Sequence, residues 1–484
     1  MRSKHRTEAD FLPQLERGSQ LSLERQLVRA VREAIVSGRL RPGMRLPSSR
    51  RLAAELHVNR NTVVNALAQL IAEDYLTGKP GSGTFVNEQI QPGEHHAPVH
   101  PSPYARWLRP LPEPAVFPTR KDVLEFRVCQ PSTSVFPLVQ WRKAWRQALQ
   151  HIPLDDYSSP AGEPGLRAAI TEYLARARGF ICSPEDVIIT CGAIQGIHLV
   201  ATATLTEGAK VAFEEPGYPL ARQVFEQHGA HILPIPIDEN GGCIEALPEG
   251  PTGPLLVYVT PSHQFPLGVR LSVARRLALL DWATRNDALI IEDDYDSEFR
   301  YDAPPLLPLA SLDRSGHVVY IGTFSKILSP SLRIGYVIAT PPLRERLERL
   351  KCLMDYHTST PPQRAIEYFM KEGYFDQHIS RMRRFYAEKR SALERVLLPL
   401  NAVASFRGLE AGLHTFVEFD AQVSIDTLVQ ECRAGGILIT DVARYYLADP
   451  DRRGLVLGYG GLELSDIEWA GMQLVSSVLK KNHW

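Results

Sequence analysis

The stretch from Gln89 to Pro118 limits what this chain can fold into more than any other part of it. Pro92, Pro98, Pro101, Pro103, Pro110, Pro112, Pro114 and Pro118 all fall there. Each proline removes a backbone donor and locks its φ, so at this density neither a helix nor a strand ladder runs through. The stretch reads as an extended, semi-stiff linker over residues 89–120. Trp107 and Leu108 inside it are expected to dock on a surface. A small unit over 17–88 and a large one over 121–484 remain, in keeping with 484 residues being too many for one ordinary domain.

Composition narrows the class. The hydrophobic share of 44% and charged share of 23% are those of a soluble globular protein. No apolar stretch is long enough to span a bilayer, and the opening MRSKHRTEAD lacks the apolar core of a signal peptide. A cytoplasmic protein without membrane attachment is expected. The six cysteines are scattered without a CxxC, which suits reduced thiols and no metal site. His95-His96 in the proline-rich stretch reads as solvated linker. A net charge of −1 means that any nucleic-acid footprint must be local.

The small unit shows three helical patterns, Leu23–Ser37, Ser49–Leu56 and Arg60–Glu73, with Ser48 or Ser49 as a cap. The tight turn His57-Val58-Asn59 separates the last two. Helix, short turn, helix is the arrangement that lays a second helix in the major groove. Two short strands around the glycine turn at Gly81 and Gly83 follow, a wing able to approach the backbone or minor groove. Between Leu21 and Glu88 ten basic side chains face six acidic ones, a local positive excess.

The large unit alternates apolar runs with helical patterns. Val187-Ile188-Ile189, Val211-Ala212-Phe213, Leu255–Val259, Leu289-Ile290-Ile291 and Val318–Ile321 are continuous rather than alternating. That predicts strands buried on both faces, hence an α/β fold with a mainly parallel sheet covered by helices. From about Arg381, a charged helix (Met382 to Leu398) and later strand-like pieces predict a small C-terminal α+β lobe.

Ligands in such folds gather beyond the carboxyl ends of the strands, and chemically suggestive residues follow the runs closely. Lys326 lies just past Val318–Ile321. Glu292-Asp293-Asp294-Tyr295 ends another run, where an unpaired buried carboxylate is costly. Pyridoxal phosphate (PLP) resolves that cost: a lysine bonds its aldehyde carbon, an Asp pairs with its pyridinium nitrogen and a tyrosine holds its phenolic oxygen. Thr190–Gln195 opens a helix whose backbone N–H groups can cradle the phosphate. Thr323 adds a hydroxyl, Arg333 a positive charge, and Tyr218 in EEPGYP a ring to stack.

These motifs carry two resemblances. GRLRPGMRLPSSRRLAAELHVNRNTVVNALAQL with DYLTGKPGSGTFV resembles the winged helix-turn-helix of GntR-type transcription factors over Leu21–Val86. It implies DNA contacts from Arg50 and Arg60, with Asn59, Asn61 and Thr62 opening the recognition helix and the wing at Gly81 and Gly83 near the minor groove. Arginine suits this work because its planar fork grips a phosphate or the two acceptors of guanine. Val64 stands where some relatives carry a further arginine.

From about Leu124, DYSSPAGEPGLR, TCGAIQG, EEPGYP, TPSHQFPLG, EDDYDSEFR and GTFSKILSPSLRIGY resemble a fold-type I PLP-dependent aminotransferase domain. Head, linker and body together are similar to the MocR/GabR family of bacterial regulators. The resemblance implies a PLP Schiff base on Lys326, Asp293 at the pyridinium nitrogen and Tyr295 at the phenolic oxygen. Thr323, Arg333 and the Gly192-Ala193-Ile194 segment take the phosphate. It also implies a homodimer, with swapped domains, in which Tyr157 reaches the neighbouring subunit's phosphate. Two positions depart from the pattern. Phe265 precedes Pro266-Leu267-Gly268 where aminotransferases place an asparagine. Val456 stands where transaminases carry the arginine that grips a substrate carboxylate, with Arg453 or Arg444 as possible substitutes.

The function expected is a PLP-dependent DNA-binding transcriptional regulator that senses PLP, a small amine, or both. The alternative is a working aminotransferase carrying a DNA-binding domain, since Lys326 is retained. A PLP-free scaffold is the third reading.

Overall fold

The computed structural model describes residues 11–90, 123–152, 155–301 and 306–480. The expected linker, with Trp107 and Leu108, lies outside these except for its first two residues. The chain divides into two compact units on either side of Pro110.

The first unit contains helices Leu23–Val36, Ser49–Glu55 and Arg60–Ala72. Ser22, Ser48 and Asn59 cap them, each side-chain oxygen accepting a first-turn backbone N–H. Each pattern read from the sequence runs one residue past its helix, onto the C-cap. Leu27, Val31, Leu52, Val63, Leu67 and Leu70 close a core between them. The antiparallel hairpin Leu76–Lys79/Gly83–Val86 completes it, with Leu76 opposite Val86 and Lys79 opposite Gly83.

The second unit is built on an eight-stranded sheet. Its order is Val187–Thr190, Gly335–Ile338, Val318–Thr323, Leu289–Asp294, Leu256–Val259, Lys210–Glu215, His231–Asp238, Gly241–Gly242. The run from Val318–Thr323 to His231–Asp238 is parallel throughout. Gly335–Ile338 pairs antiparallel on both sides, which returns Val187–Thr190 to the common direction. Thr190, Glu215, Val259, Asp294 and Thr323 therefore end at one edge of the sheet. Two strands escape the apolar-run reading. Gly335–Ile338 sits inside the lysine motif, and His231–Asp238 carries Pro234 and Pro236. Those prolines are tolerated because its outer neighbour is a strand of only two residues.

The lobe downstream holds a four-stranded antiparallel sheet in the order Ala404–Arg407, His414–Phe419, Gly454–Gly458, Thr440–Asp441. Its long helix spans Tyr374–Leu397 and so starts well before Met382. The added turns bury Phe375, His378 and Ile379. Near the start of the body, Leu124–Glu125 pairs with Ile437–Leu438 of this lobe.

Candidate functional site

Lys326 lies three residues beyond the strand end at Thr323, and its Nζ donates to the Cys129 carbonyl at 2.8 Å. It opens onto a cavity of about 1040 Å³, whose wall includes Arg127, Tyr218, Phe265, Arg444 and Tyr445. Strand alternation sorts the acids of the neighbouring Leu289–Asp294. Glu292 and Asp294 serve the structure. Glu292 accepts the backbone N–H groups of Leu309 and Ala310 at 2.7 and 2.8 Å. Asp294 meets the fully buried Arg178 at 2.6 Å and accepts the Tyr320 hydroxyl at 2.6 Å.

Asp293, on the opposite face, is only half satisfied. Its Oδ2 accepts the Tyr258 hydroxyl at 2.6 Å, while its buried Oδ1 has no partner among the described residues. Burial pushes its carboxyl up to about 6, against the pull of Lys326. A carboxylate left this way calls for a cationic donor, which a pyridinium supplies.

The anion cradle is built as the sequence suggests. Gly192, at φ +92°, caps helix Ala193–Thr204, whose first N–H groups have no intrahelical acceptor. Arg333 donates from Nη2 to the Cys191 carbonyl at 2.6 Å. A Cβ on Gly192 would lie 2.8 Å from that Nη2, so only glycine lets the guanidinium come so close. The Cys191 N–H is already taken by Gln195 Oε1 at 2.7 Å. Thr323 Oγ1 lies 3.0 Å from the Ser325 hydroxyl, which adds a second hydroxyl that the sequence reading passed over.

Tyr295 donates to the His263 carbonyl at 2.9 Å. Tyr218 meets Phe265 edge-on at 5.5 Å between ring centroids. Tyr157 does not join this group within the chain. It is exposed and stacks on Tyr356 at 4.1 Å. Phe265 and Val456 fall into one apolar cluster with Cys129, Phe416 and Tyr445. The two departures from the aminotransferase pattern are thus a single apolar wall. Arg453 cannot stand in for the missing arginine. Its guanidinium is spent on the carbonyls of Ala421 and Val423, at 3.1 and 3.0 Å. Arg444 does reach the cavity wall.

Beneath lies a buried trio, Cys129, Asp296 and His414, with ligand-type atoms within 4.8 Å of one another. Burial holds His414 well below the usual imidazole range, so its ring is neutral. Nε2 donates to the Pro266 carbonyl at 3.1 Å, and Nδ1 accepts the Cys129 thiol at 3.4 Å. Asp296 pairs with His263 at 3.0 Å. The trio is a hydrogen-bonded network.

In the first unit, Arg50, Arg60 and Asn61 are exposed at the starts of the second and third helices, and Thr62 is half-buried. Asn59 needs correction as a base-reading candidate, because its side-chain oxygen accepts the Asn61 N–H at 2.8 Å as the helix cap. Gly81 and Gly83 take φ of +72° and +113° in the hairpin turn. Arg45, which sequence reasoning missed, places its Nε 2.9 Å from where a Gly83 Cβ would be. The signal was a basic residue just before LPSSRR, and only the fold brings it to the wing.

Residues 23–86 match the family described as "Bacterial regulatory proteins, gntR family", and residues 121–452 match "Aminotransferase class I and II". The chain is 38% identical to the "Uncharacterized HTH-type transcriptional regulator YdeL" of Bacillus subtilis, over 95% of this chain and 97% of the relative. It is 34% identical to the "Probable rhizopine catabolism regulatory protein MocR" of Rhizobium meliloti, over 93% and 92%. Among solved structures, the kynurenine aminotransferase of Pyrococcus horikoshii superposes with a TM-score of 0.70 at 25% identity, covering 75% of this chain and 92% of that one. Among the described residues, no helix is long and apolar enough to cross a membrane.

Proposed function

The chain belongs to the MocR-type HTH transcriptional regulators, a GntR-family DNA-binding head joined to an aminotransferase-like body, and from that premise we propose that it is a cytoplasmic regulator controlled by PLP. The observation that carries this reading is the buried, half-partnered carboxylate of Asp293 beside Lys326. When bound, PLP supplies an aldehyde for a lysine and a cationic ring nitrogen for a carboxylate. Lys326 anchors it, Asp293 orients the ring, Tyr295 addresses the phenolic oxygen, and Gly192, Ala193, Ile194, Thr323 and Arg333 hold the phosphate. The head, over 17–88, reads double-stranded operator DNA through Arg50, Arg60, Asn61 and Thr62. The 89–120 linker joins it to the body, over 121–484. A swapped homodimer would bring Tyr157 to the partner's phosphate.

The apolar wall of Phe265 and Val456 argues for PLP itself, or an amine without a carboxylate, as the effector. Without an arginine fork, an amino acid's carboxylate has no bidentate anchor to orient it. The rival reading, a working aminotransferase, keeps Lys326 in its favour. One experiment separates them. Adding PLP should give a visible absorbance band that Lys326→Ala lacks. A panel of amino and keto acids should give no sustained turnover. Turnover on the order of 1 s⁻¹ or more would establish the enzyme instead, and no band in the wild type would sink the PLP reading.

A further inference from the structure

The PLP reading gives no role to two buried side chains beside Tyr295, namely His263 and Asp296. Both are nearly inaccessible. His263 Nδ1 lies 3.0 Å from Asp296 Oδ2 and 3.2 Å from the Tyr295 hydroxyl. That hydroxyl is also 2.9 Å from the His263 carbonyl oxygen. The other ring nitrogen, Nε2, is buried with no partner among the described residues. Glycine backbones close over it, since a Cβ on Gly268 or Gly408 would lie 3.1 or 3.3 Å from Nε2.

These contacts choose the tautomer. A proton on Nε2 would be a buried orphan donor, costing about 1–3 kcal/mol and more for a charged ring. A proton on Nδ1 meets the Asp296 carboxylate. The ring is therefore neutral with its proton on Nδ1, held there by Asp296. Nδ1 is then a donor and cannot accept from Tyr295. The tyrosine proton is left with the His263 carbonyl or a ligand.

We infer, on the basis of the PLP reading, that His263 and Asp296 are positioning residues that fix this tautomer and so commit the Tyr295 hydroxyl to the phenolic oxygen of bound PLP. Phe265 gives the arrangement its weight. It stands where the aminotransferase pattern has an asparagine near that oxygen, so the oxygen depends on Tyr295. Cys129, Tyr258, Asp293, Asp294, Lys326 and His414 are the other titratable groups facing the pair or the tyrosine. Cys129 and His414 are held neutral by burial.

The test is the sign of a shift. The chromophore of bound PLP carries a proton shared with the phenolic oxygen and loses it as pH rises. A hydroxyl donated to that oxygen loosens the proton. In Asp296→Asn the new amide N–H faces Nδ1 and turns it into an acceptor, which draws the Tyr295 hydroxyl away. Such a substitution sets the wrong tautomer while sparing the geometry in an unrelated protease triad. The midpoint of the visible pH titration should rise by about one unit. Mere loss of a negative charge would lower it, because a carboxylate favours the protonated chromophore.

Tyr295→Phe should itself raise the midpoint, and adding Asp296→Asn to it should change nothing further. His263→Asn, whose amide can donate from the Nδ1 place, should keep the wild-type midpoint. A midpoint that falls or stays put in Asp296→Asn overturns the inference. Should that variant not fold, nitrogen NMR of the wild type without PLP decides. The His263 ring signals, identified by their loss in His263→Asn, must report a proton on Nδ1, and a proton on Nε2 overturns the inference. A wild type without a visible band is a separate result, and sinks the underlying PLP reading.

Discussion

At the residue scale, burial turns ordinary acids into informative ones. Asp293 has its carboxyl pushed up to about 6, and Glu214, Glu292 and Glu298 are pushed up to about 7. An acid whose folded pKa lies above its unfolded value takes up a proton on folding. Its contribution favours the fold at low pH and is lost as pH rises through the folded value. Glu292 and Glu214 keep protein partners at every pH, through Leu309, Ala310 and Thr260. Asp293 alone would gain a cation from PLP. The Tm gained on adding PLP should therefore grow between about pH 5 and about pH 7.5. Paired thermal melts across that range check this, and a constant or shrinking gain would contradict the Asp293 pairing. Lys326, Asp293 and Tyr295 were legible because each directly follows an apolar run. His263 and Asp296 were not, since their partnership is a contact between loops more than thirty residues apart.

At the element scale, two helix starts carry the function, and each depends on one residue that does not touch its ligand through a charge. Gly192 opens the cradle. In Gly192→Ala the methyl must displace the Arg333 guanidinium and the residue must hold φ near +92°. PLP affinity should fall by about tenfold or more, the scale of 1.4 kcal/mol, with far-UV circular dichroism unchanged. Asn59 caps the recognition helix. Asn59→Ala should cost the head about 1 kcal/mol in a denaturant melt while keeping base preference. Arg60→Ala should instead leave stability alone, weaken operator binding and flatten the slope of log affinity against log salt by about one. Gel shifts on a selected operator duplex at several salt concentrations distinguish the two. The helices were legible from their apolar spacing and cap residues. The strand His231–Asp238 was not, because two prolines argue against a strand until the sheet's edge is known.

At the scale of the whole molecule, a regulator needs its two functions to be coupled, and coupling is reciprocal. If PLP changes operator affinity by some factor, operator DNA must change PLP affinity by the same factor. Titrating PLP with and without a saturating operator duplex measures one side, and titrating DNA with and without PLP the other. Equal affinities in both pairs would leave PLP a structural cofactor and place the control elsewhere. The order of head, linker and body is written in the sequence alone, because proline density, apolar runs and cap residues act through local backbone rules that need no knowledge of distant neighbours. So are the identities of Lys326, Asp293 and Arg333, since a parallel sheet delivers whatever follows its strands to one edge. The tertiary structure alone decided which acids were free for chemistry. It also decided that Phe265 and Val456 form one wall, that Arg453 is spent on backbone carbonyls, and that His263 and Asp296 stand behind Tyr295. Those outcomes depend on which polar atoms have lost water and which partners remain within hydrogen-bonding reach, and neither is defined until the chain has closed on itself.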